Sequence, residues 1–112
     1  MTHDLIALTR ACLDAYQDRD LERTAQLIAE NVTLQDWNVS GAGRDFYLRE
    51  TKKNFDDVSD ITIEIRQLLK NVNSVAAQLK RTLNGGEVTL DVVDVFTFNN
   101  EGLITSVRAY KG

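Results

Sequence analysis

The chain has 112 residues, which is room for one domain with one hydrophobic core, so we predict a single domain over residues 1–112. Hydrophobic residues make up 43% of it, too many for a disordered chain, and the net charge of −4 argues against a nucleic acid or an anionic membrane as partner. The single cysteine and the single histidine offer no Cys- or His-based metal site, and we expect neither a metal nor a cofactor. No run of residues is apolar enough for a membrane span or a signal peptide, so the expected location is the cytoplasm.

The first half of the chain predicts three helices and a short strand. Apolar residues recur at three- and four-residue steps over about 3–18, which is the pattern of an amphipathic helix. Asp20 is a favourable N-cap for a second helix. Val32 to Trp37 then alternates as a strand, residues 38–43 are rich in turn formers, and a third helix is predicted from about Arg44 to Phe55.

The second half of the chain predicts strands, because its apolar residues repeat with a period of two. Strands begin at Ile61 and near Val75, a turn follows at 84–86, and two more strands cover about 87–98 and 103–110. Helices followed by antiparallel strands indicate an α+β domain with helices packed on one face of a sheet. A sheet of this size curls around the helices and leaves a cavity at its mouth, where small ligands usually bind.

Two aspartates break the apolar pattern of the strands that contain them. Alternation in Val32 to Trp37 places Asp36 on the same face as Val32 and Leu34, and in the long strand Asp94 shares a face with apolar residues on both sides. A carboxylate among apolar neighbours is costly to ionise unless an opposite charge pairs with it. Acids in such surroundings serve in active sites as bases or as neutral hydrogen-bond donors.

Structural explanations are available for both aspartates. Asp36 stands at a strand end, where it could cap the turn through Asn38 or face water. Asp91 and Asp94 lie on opposite faces of one strand, so one of them has to point inward whatever its function. The residues alone leave these alternatives open.

Arg81 extends the inward face that Val75, Ala77 and Leu79 define in the preceding strand. Given Lys80 beside it, the simpler interpretation is that the head group of Arg81 follows the sheet edge into water. If the guanidinium entered the pocket instead, it would hold a carboxylate ionised and disfavour a mechanism that needs a protonated acid.

Two segments resemble a known family. LDAYQDRDLERTAQLIAENVTLQD is similar to the opening of SnoaL-like and ketosteroid-isomerase-like proteins of the NTF2-like superfamily, and VVDVFTFNNEGLITSVRAYKG resembles their closing hairpin, with D-x-F-x-F before a Gly turn and I-x-x-x-R. The resemblance covers nearly the whole chain. It implies an α+β cone in which a curved mixed or antiparallel sheet wraps around three N-terminal helices and encloses a pocket.

The resemblance also implies catalytic roles. In ketosteroid isomerases an Asp at the end of the first strand shuttles a proton, while a Tyr on the first helix and a protonated Asp on the long strand donate hydrogen bonds to the dienolate oxygen. Carried over by motif, Asp36 matches the base and Asp94 the protonated donor. Cys12, a weak donor, occupies the tyrosine position, and Tyr16, one helical turn later, is the candidate to replace it. The register of residues 38–47 against the family stays open.

The resulting hypothesis is steroid-isomerase-like proton transfer on a small apolar ketone or polyketide-like ligand, in a site that lacks one of the family's donors. The catalytic residues would be Asp36, Asp94 and Tyr16. The residues expected to line the pocket are Cys12, Trp37, Tyr47, Phe55, Leu79, Phe96 and Val107.

Three other functions fit the sequence, one of which is a purely structural dimer module. The pocket could bind a small apolar ligand without catalysis, as many members of this fold do. It could also hydrolyse an epoxide with two aspartates and Arg81 as the partner of the electrophile. Under each hypothesis we expect no nucleic acid and no membrane as partner, and Val93 and Ile104 on outer positions favour a homodimer through the sheet.

Overall fold

The computed structural model describes residues 3–112, which form three α-helices and six β-strands around one hydrophobic core. In chain order these are α1 (Leu5–Gln17), α2 (Leu21–Leu27), β1 (Ile28–Gln35), β2 (Ser40–Ala42), α3 (Arg44–Asp56), β3 (Ile61–Lys70), β4 (Ser74–Leu83), a short 3-10 turn (Asn84–Gly86), β5 (Val88–Phe98) and β6 (Ile104–Lys111). The helices lie where the sequence predicts them. Strand β1 begins before the predicted Val32, and the turn-rich segment ahead of α3 contains the additional strand β2.

The helices α1 and α2 begin at aspartates that cap them. The side chain of Asp4 accepts a hydrogen bond from the N–H of Ala7, and that of Asp20 accepts one from the N–H of Arg23, each at 3.0 Å. A side chain at the start of α3 joins it to α2, because Nη2 of Arg44 donates to the α2 carbonyl at Ala25. None of the helices within residues 3–112 combines the length and the apolar character needed to cross a membrane.

The strands form one mixed sheet in the order β2-β1-β6-β5-β4-β3. Strands β1 and β6 run parallel, and the other neighbouring pairs are antiparallel. Helix α1 packs against β3 and β4, and α3 packs against β1. The side chain of Gln17 accepts a hydrogen bond from the N–H of Ile63 at 2.7 Å, which fixes the end of α1 to the edge strand β3. One face of the sheet is therefore covered by helices.

Alternation along β4 and β5 decides which side chains enter the space between sheet and helices. Val75, Ala77 and Leu79 are buried, as the sequence predicts, and Arg81 is the next residue on their face. Asp94 is paired with Ala77 across the β4–β5 ladder and is 2% exposed. The alternation thus carries one carboxylate and one guanidinium to the inner side of the sheet.

Ile104 belongs to the core and is 1% exposed, so its predicted outer position is wrong. The cause is a shift of register between β5 and β6, where Thr97 pairs with Ser106 but Phe98 pairs with Ile104. This bulge inserts an extra residue into β6 and turns the residues before it to the opposite face. Val93 is 36% exposed, and the homodimer through the sheet stays a prediction.

Gly41 in β2 lies against the ring of Phe46, and a Cβ at this position would be 2.5 Å from the nearest ring carbon. We expect Gly41→Ala to lower the free energy of unfolding by about 1–3 kcal/mol, because the half-buried ring has to move aside. Chemical denaturation measures the free energy of unfolding. As a control, Ala42→Ser at the neighbouring exposed position should change this free energy by less than about 0.5 kcal/mol. An unchanged denaturation midpoint for Gly41→Ala would contradict the tight contact.

Candidate active site

A cavity of about 110 Å³ lies between α1, α3 and the sheet. Its lining consists of the apolar residues Leu13, Leu34, Val39, Phe96, Val107 and Ala109 and the polar residues Cys12, Tyr16, Asp36, Asn38, Tyr47, Glu50, Thr51, Asn54, Arg81 and Asp94. The volume is below the range of about 300–1,000 Å³ that is typical of pockets enclosing a drug-sized ligand. The cavity therefore has room for a small molecule or for one end of a larger one.

Arg81 points into this cavity, so the expectation that it follows the sheet edge into water is wrong. Its side chain is 15% exposed, and Nη2 donates a hydrogen bond to Oδ2 of Asp94 at 2.5 Å. The guanidinium carbon also lies 4.9 Å from the centroid of the Tyr16 ring. The charge-assisted hydrogen bond and the cation–π contact together offset the loss of hydration that draws arginines to the surface.

The buried pair of Arg81 and Asp94 sets the protonation state of the carboxyl group. Burial raises the pKa of Asp94, and the adjacent guanidinium opposes that rise. Because arginine stays protonated in proteins, a protonated Asp94 would leave a buried positive charge without its counter-ion. We therefore assign the pair as ionised at neutral pH. The neutral, donating Asp94 that the family resemblance implies does not fit this pairing, since the buried guanidinium would then lack a counter-ion.

Two atoms of the pair have no hydrogen-bond partner within residues 3–112, namely Nε of Arg81 and Oδ1 of Asp94, and both are buried. Buried polar groups in folded proteins are nearly always satisfied, and an unsatisfied one costs about 1–3 kcal/mol. Both atoms belong to residues that line the cavity, so the ion pair carries an unmet donor and an unmet acceptor that stability alone does not explain.

Asp36 follows the last residue of β1 and lines the same cavity. Its Oδ1 accepts hydrogen bonds from the N–H groups of Asn38 at 2.7 Å and Val39 at 2.8 Å. Asp36 therefore caps the turn, which is one of its structural explanations. Because both bonds end on Oδ1, Oδ2 is left for a ligand, and the turn fixes the direction in which the carboxylate points.

Tyr16 stands at the cavity wall between α1 and α3. Its oxygen accepts a hydrogen bond from Nδ2 of Asn54 at 3.2 Å, and its ring meets the ring of Phe55 at a centroid distance of 5.1 Å in an edge-on arrangement. Burial raises the pKa of Tyr16, so the phenol is neutral at physiological pH. Since Asn54 is the donor in their hydrogen bond, the phenol proton remains free for a ligand oxygen.

Cys12 lines the cavity one turn before Tyr16 and is 5% exposed. Burial raises the pKa of its thiol to about 12, and the charge of Asp94 adds to the rise. Burial likewise raises the pKa of Tyr47 well above its ordinary value, and Tyr47 lines the same cavity. Neutral thiol and phenol groups thus surround the ion pair.

The raised pKa of Cys12 predicts a loss of stability at high pH. An ordinary thiol releases its proton near pH 9, whereas the native one keeps it up to about pH 12, so the native state binds more protons in this window and its stability falls as the pH rises. Relative to the Cys12→Ala variant, the wild type should lose an extra ~1.3 kcal/mol between about pH 8 and pH 10. Urea unfolding at the two pH values checks this, and equal losses in both proteins would contradict a buried neutral thiol.

Four of the seven residues that were expected to line the pocket lie at the cavity wall, and three do not. Those at the cavity wall are Cys12, Tyr47, Phe96 and Val107. Phe55 and Leu79 are not at the wall, because Phe55 packs under the ring of Tyr16 and Leu79 is enclosed in the hydrophobic core at 1% exposure. Trp37 is 41% exposed and lines an adjoining outer cleft, with the ammonium group of Lys111 5.9 Å from its ring centroid.

Glu50 and Asn54 line the cavity from α3, although the sequence analysis did not select them. The side chain of Glu50 is 13% exposed and forms an ion pair with Lys53 at 3.0 Å. Both residues lie at helical spacing from Tyr47, and that signal could have placed them on the inward face. Although several carboxylates share the cavity, no three His, Cys, Asp or Glu side chains within residues 3–112 are grouped so that they could hold a metal ion.

The sequence of residues 9–107 matches the SnoaL-like domain, and this stretch contains nearly all of the cavity lining. The chain belongs to the SnoaL-like family. No curated protein sequence matches this SnoaL-like chain. The family membership and the fold that the sequence resemblance implies are confirmed.

Solved structures share the fold of this SnoaL-like protein. A proposed ketosteroid isomerase from Kribbella flavida DSM 17836 is 26% identical, with a TM-score of 0.84 over 96% of this chain and 77% of that one. A proposed SnoaL-like polyketide cyclase from Shewanella denitrificans OS-217 is 11% identical, with a TM-score of 0.85 over 96% and 90%. An NTF2-like protein of unknown function from Cytophaga hutchinsonii ATCC 33406 is 16% identical, with a TM-score of 0.82 over 100% and 93%. The α+β cone is thus the NTF2-like fold.

Proposed function

We propose that this SnoaL-like protein transfers a proton at the carbon alpha to the carbonyl group of a small, mostly apolar ketone. The observation that carries the proposal is that one cavity is lined by a base with a free oxygen, Asp36, and by two donors, Tyr16 and Arg81. Enolisation needs a base at the carbon and donors at the oxygen where negative charge develops. The likeness to a proposed ketosteroid isomerase at 26% identity supports the same class of reaction.

In the proposed reaction, Oδ2 of Asp36 removes the alpha proton. The electrons of the broken C–H bond form the enolate, whose oxygen becomes negative. Asp36, now a carboxylic acid, returns the proton to a different carbon, so a β,γ-unsaturated ketone becomes its conjugated isomer with no atom gained or lost. The N–H groups of Asn38 and Val39 hold Oδ1 in place during both transfers.

Stabilisation of the enolate oxygen is assigned to Tyr16 and Arg81, in place of a protonated Asp94. Nη2 of Arg81 is bound to Asp94 and Nε is buried, which leaves Nη1 as the guanidinium nitrogen for a ligand. Asp94 then acts as a positioning residue that holds the guanidinium inside the cavity. Cys12, at the position of the family's tyrosine, adds only a weak donor.

Hydrogen exchange tests this proposal without knowledge of the natural substrate. The wild-type protein is incubated in D₂O with small cyclic β,γ-enones, and incorporation of deuterium is followed by NMR and the conjugated product by absorbance. We expect exchange faster than in buffer alone, and competitive inhibition by phenol, which mimics the enolate. Binding of phenol without any exchange would overturn the proposal in favour of a pocket that binds but does not catalyse.

Epoxide hydrolysis is a second candidate function, and the inward position of Arg81 favours it. Asp36 would take a proton from water as the water oxygen attacks an epoxide carbon, the C–O bond would break onto the epoxide oxygen, and Arg81 would stabilise that oxygen until the proton returns to it. The product is a diol. Conversion of a small cyclic epoxide into a diol that carries one oxygen from labelled water would support this function over enolisation.

A further inference from the structure

The turn between β4 and β5 contains an asparagine followed by a glycine, Asn84 and Gly85. The amide carbon of an asparagine side chain can be attacked by the backbone nitrogen of the next residue, which closes a succinimide ring. A following glycine leaves that nitrogen unhindered, because glycine has no Cβ. A Cβ added at Gly85 would meet no heavy atom within 4 Å, so the space beside this nitrogen is open.

The backbone nitrogen of Gly85 is held by a carboxylate. Its N–H donates a hydrogen bond to Oδ1 of Asp60 at 2.8 Å, and the N–H of Asn84 donates to the backbone oxygen of Asp60 at 3.2 Å. Asp60 lies 25 residues before Gly85, in the exposed segment between α3 and β3. A carboxylate within hydrogen-bond reach of the proton that it would remove meets the geometric requirement for a general base.

The side-chain oxygen of Asn84 accepts two hydrogen bonds from one residue of the same segment. The N–H of Ser59 donates to Oδ1 at 2.8 Å, and the hydroxyl of Ser59 donates to it at 3.3 Å. Attack on the amide carbon would move negative charge onto this oxygen, and donors already aimed at it stabilise such a charge. The two bonds also fix the orientation of the amide group and leave Nδ2 as the leaving group.

We propose that Asn84 is a site of self-catalysed deamidation, in which Asp60 is the base and Ser59 supplies the donors. Asp60 takes the proton of the Gly85 nitrogen as this nitrogen bonds to Cγ of Asn84. The Cγ–Nδ2 bond then breaks, and Nδ2 leaves as ammonia with the proton that Asp60 had taken. Water opens the succinimide at either carbonyl group to give aspartate or isoaspartate, so one water is consumed and one ammonia is released. The modified turn joins the two strands that carry the buried ion pair.

Asn71 and Asn99 show which features distinguish Asn84 from other asparagines in turns. Their Oδ1 atoms also accept hydrogen bonds from backbone N–H groups. They are followed by Val72 and Asn100, whose side chains hinder attack by the backbone nitrogen. An oriented amide group is therefore common to all three asparagines, whereas Asn84 adds an unhindered nitrogen beside a carboxylate.

Ageing of freshly purified protein at neutral pH tests the proposal. Trypsin releases residues 82–108 as one peptide, so fragmentation of this peptide in a mass spectrometer compares Asn84 with Asn99 in the same molecule. We expect a mass gain at Asn84 but not at Asn99, release of ammonia, and labelling of the product by an isoaspartate methyltransferase. The rate in the native protein should be at least about tenfold higher than in urea, where the base and the donors no longer lie beside the turn.

Three variants in the segment before β3 identify the groups that act. Asp60→Asn keeps an oxygen for the Gly85 N–H but removes the base, and it should slow deamidation at least about tenfold. Ser59→Ala keeps the backbone donor and should slow it about two- to fivefold. Asp57→Asn is the matched control, because it removes another exposed carboxylate of this segment, and its rate should stay within about twofold of the wild type.

A native rate equal to or below the rate in urea would overturn the proposal, because the fold would then protect Asn84. Deamidation of Asp60→Asn at the wild-type rate would overturn it as well, and an unchanged rate in Ser59→Ala would overturn the role of the hydroxyl. The comparison of native and unfolded wild type needs no variant, so a folding defect cannot decide the result. None of these measurements involves a ligand of the cavity, and they are therefore independent of the proposed proton transfer.

Discussion

Replacing Arg81 by alanine should lower the free energy of unfolding by about 3–5 kcal/mol, because it leaves the carboxylate of Asp94 buried without its counter-ion. The loss should shrink as the pH falls, since an isolated buried carboxyl group takes up a proton more readily. The double variant Arg81→Met/Asp94→Leu removes both charges at similar volume and should regain most of the loss. Urea unfolding of the wild type and both variants at several pH values measures these differences.

The ion pair of Arg66 and Glu64 provides the matched control for this experiment. Its N···O distance is 3.5 Å, and its side chains are 47% and 64% exposed. Arg66→Ala should therefore change the free energy of unfolding by less than about 1 kcal/mol. If Arg81→Ala proved as stable as Arg66→Ala, Asp94 would have found water or another partner, and its assigned role of holding Arg81 would be wrong.

The helices and the long strands could be predicted because their signals are local. Asp20 is both a good N-cap in sequence and the observed cap of α2, and the alternation of Val75, Ala77 and Leu79 is the observed inward face of β4. Strand β2 could not be predicted in the same way, since three residues show no period and β2 exists by pairing with β1. The inward position of Ile104 likewise depends on a bulge against β5, which no local pattern reveals.

The sequence identified Asp36 and Asp94 because a carboxylate on an apolar strand face is visible without knowing the partner strand. It could not show that Arg81 reaches Asp94. Arg81 is paired with Leu90, and Asp94 lies four residues further along β5, so their contact depends on the register of two strands and on the length of an arginine side chain. We assign Asp94 as ionised because of that contact, and the family resemblance, which does not include the contact, implied the opposite state.

A base and an oxyanion site are separate requirements of enolisation. In the proposed reaction Asp36 is the base, and Tyr16 and Arg81, which line the same cavity, are the donors at the oxygen. Removing the base should therefore have a large effect on rate even if the oxyanion site is weaker than one built from two strong neutral donors.

Asp36→Asn should lower the rate of proton exchange by about 10²–10⁴-fold, the usual contribution of a general base. The fold should be nearly unaffected, because the amide oxygen of asparagine can still accept the hydrogen bonds from Asn38 and Val39. Phenol should still bind, since the cavity and its donors remain. Exchange kinetics, phenol binding and urea unfolding of the same preparation separate the loss of the base from a loss of the pocket.

Asp91→Asn is the matched control for Asp36→Asn, because Asp91 is exposed on the outer face of the strand that carries Asp94. Its exchange rate should stay within about twofold of the wild type, as surface substitutions away from a site have small effects. If Asp36→Asn exchanged protons as fast as Asp91→Asn, Asp36 would have no role as a base, and its only role would be to cap the turn. The base would then have to be Glu50, whose side chain is 13% exposed and lines the same cavity, and Glu50→Gln would be the variant that loses exchange.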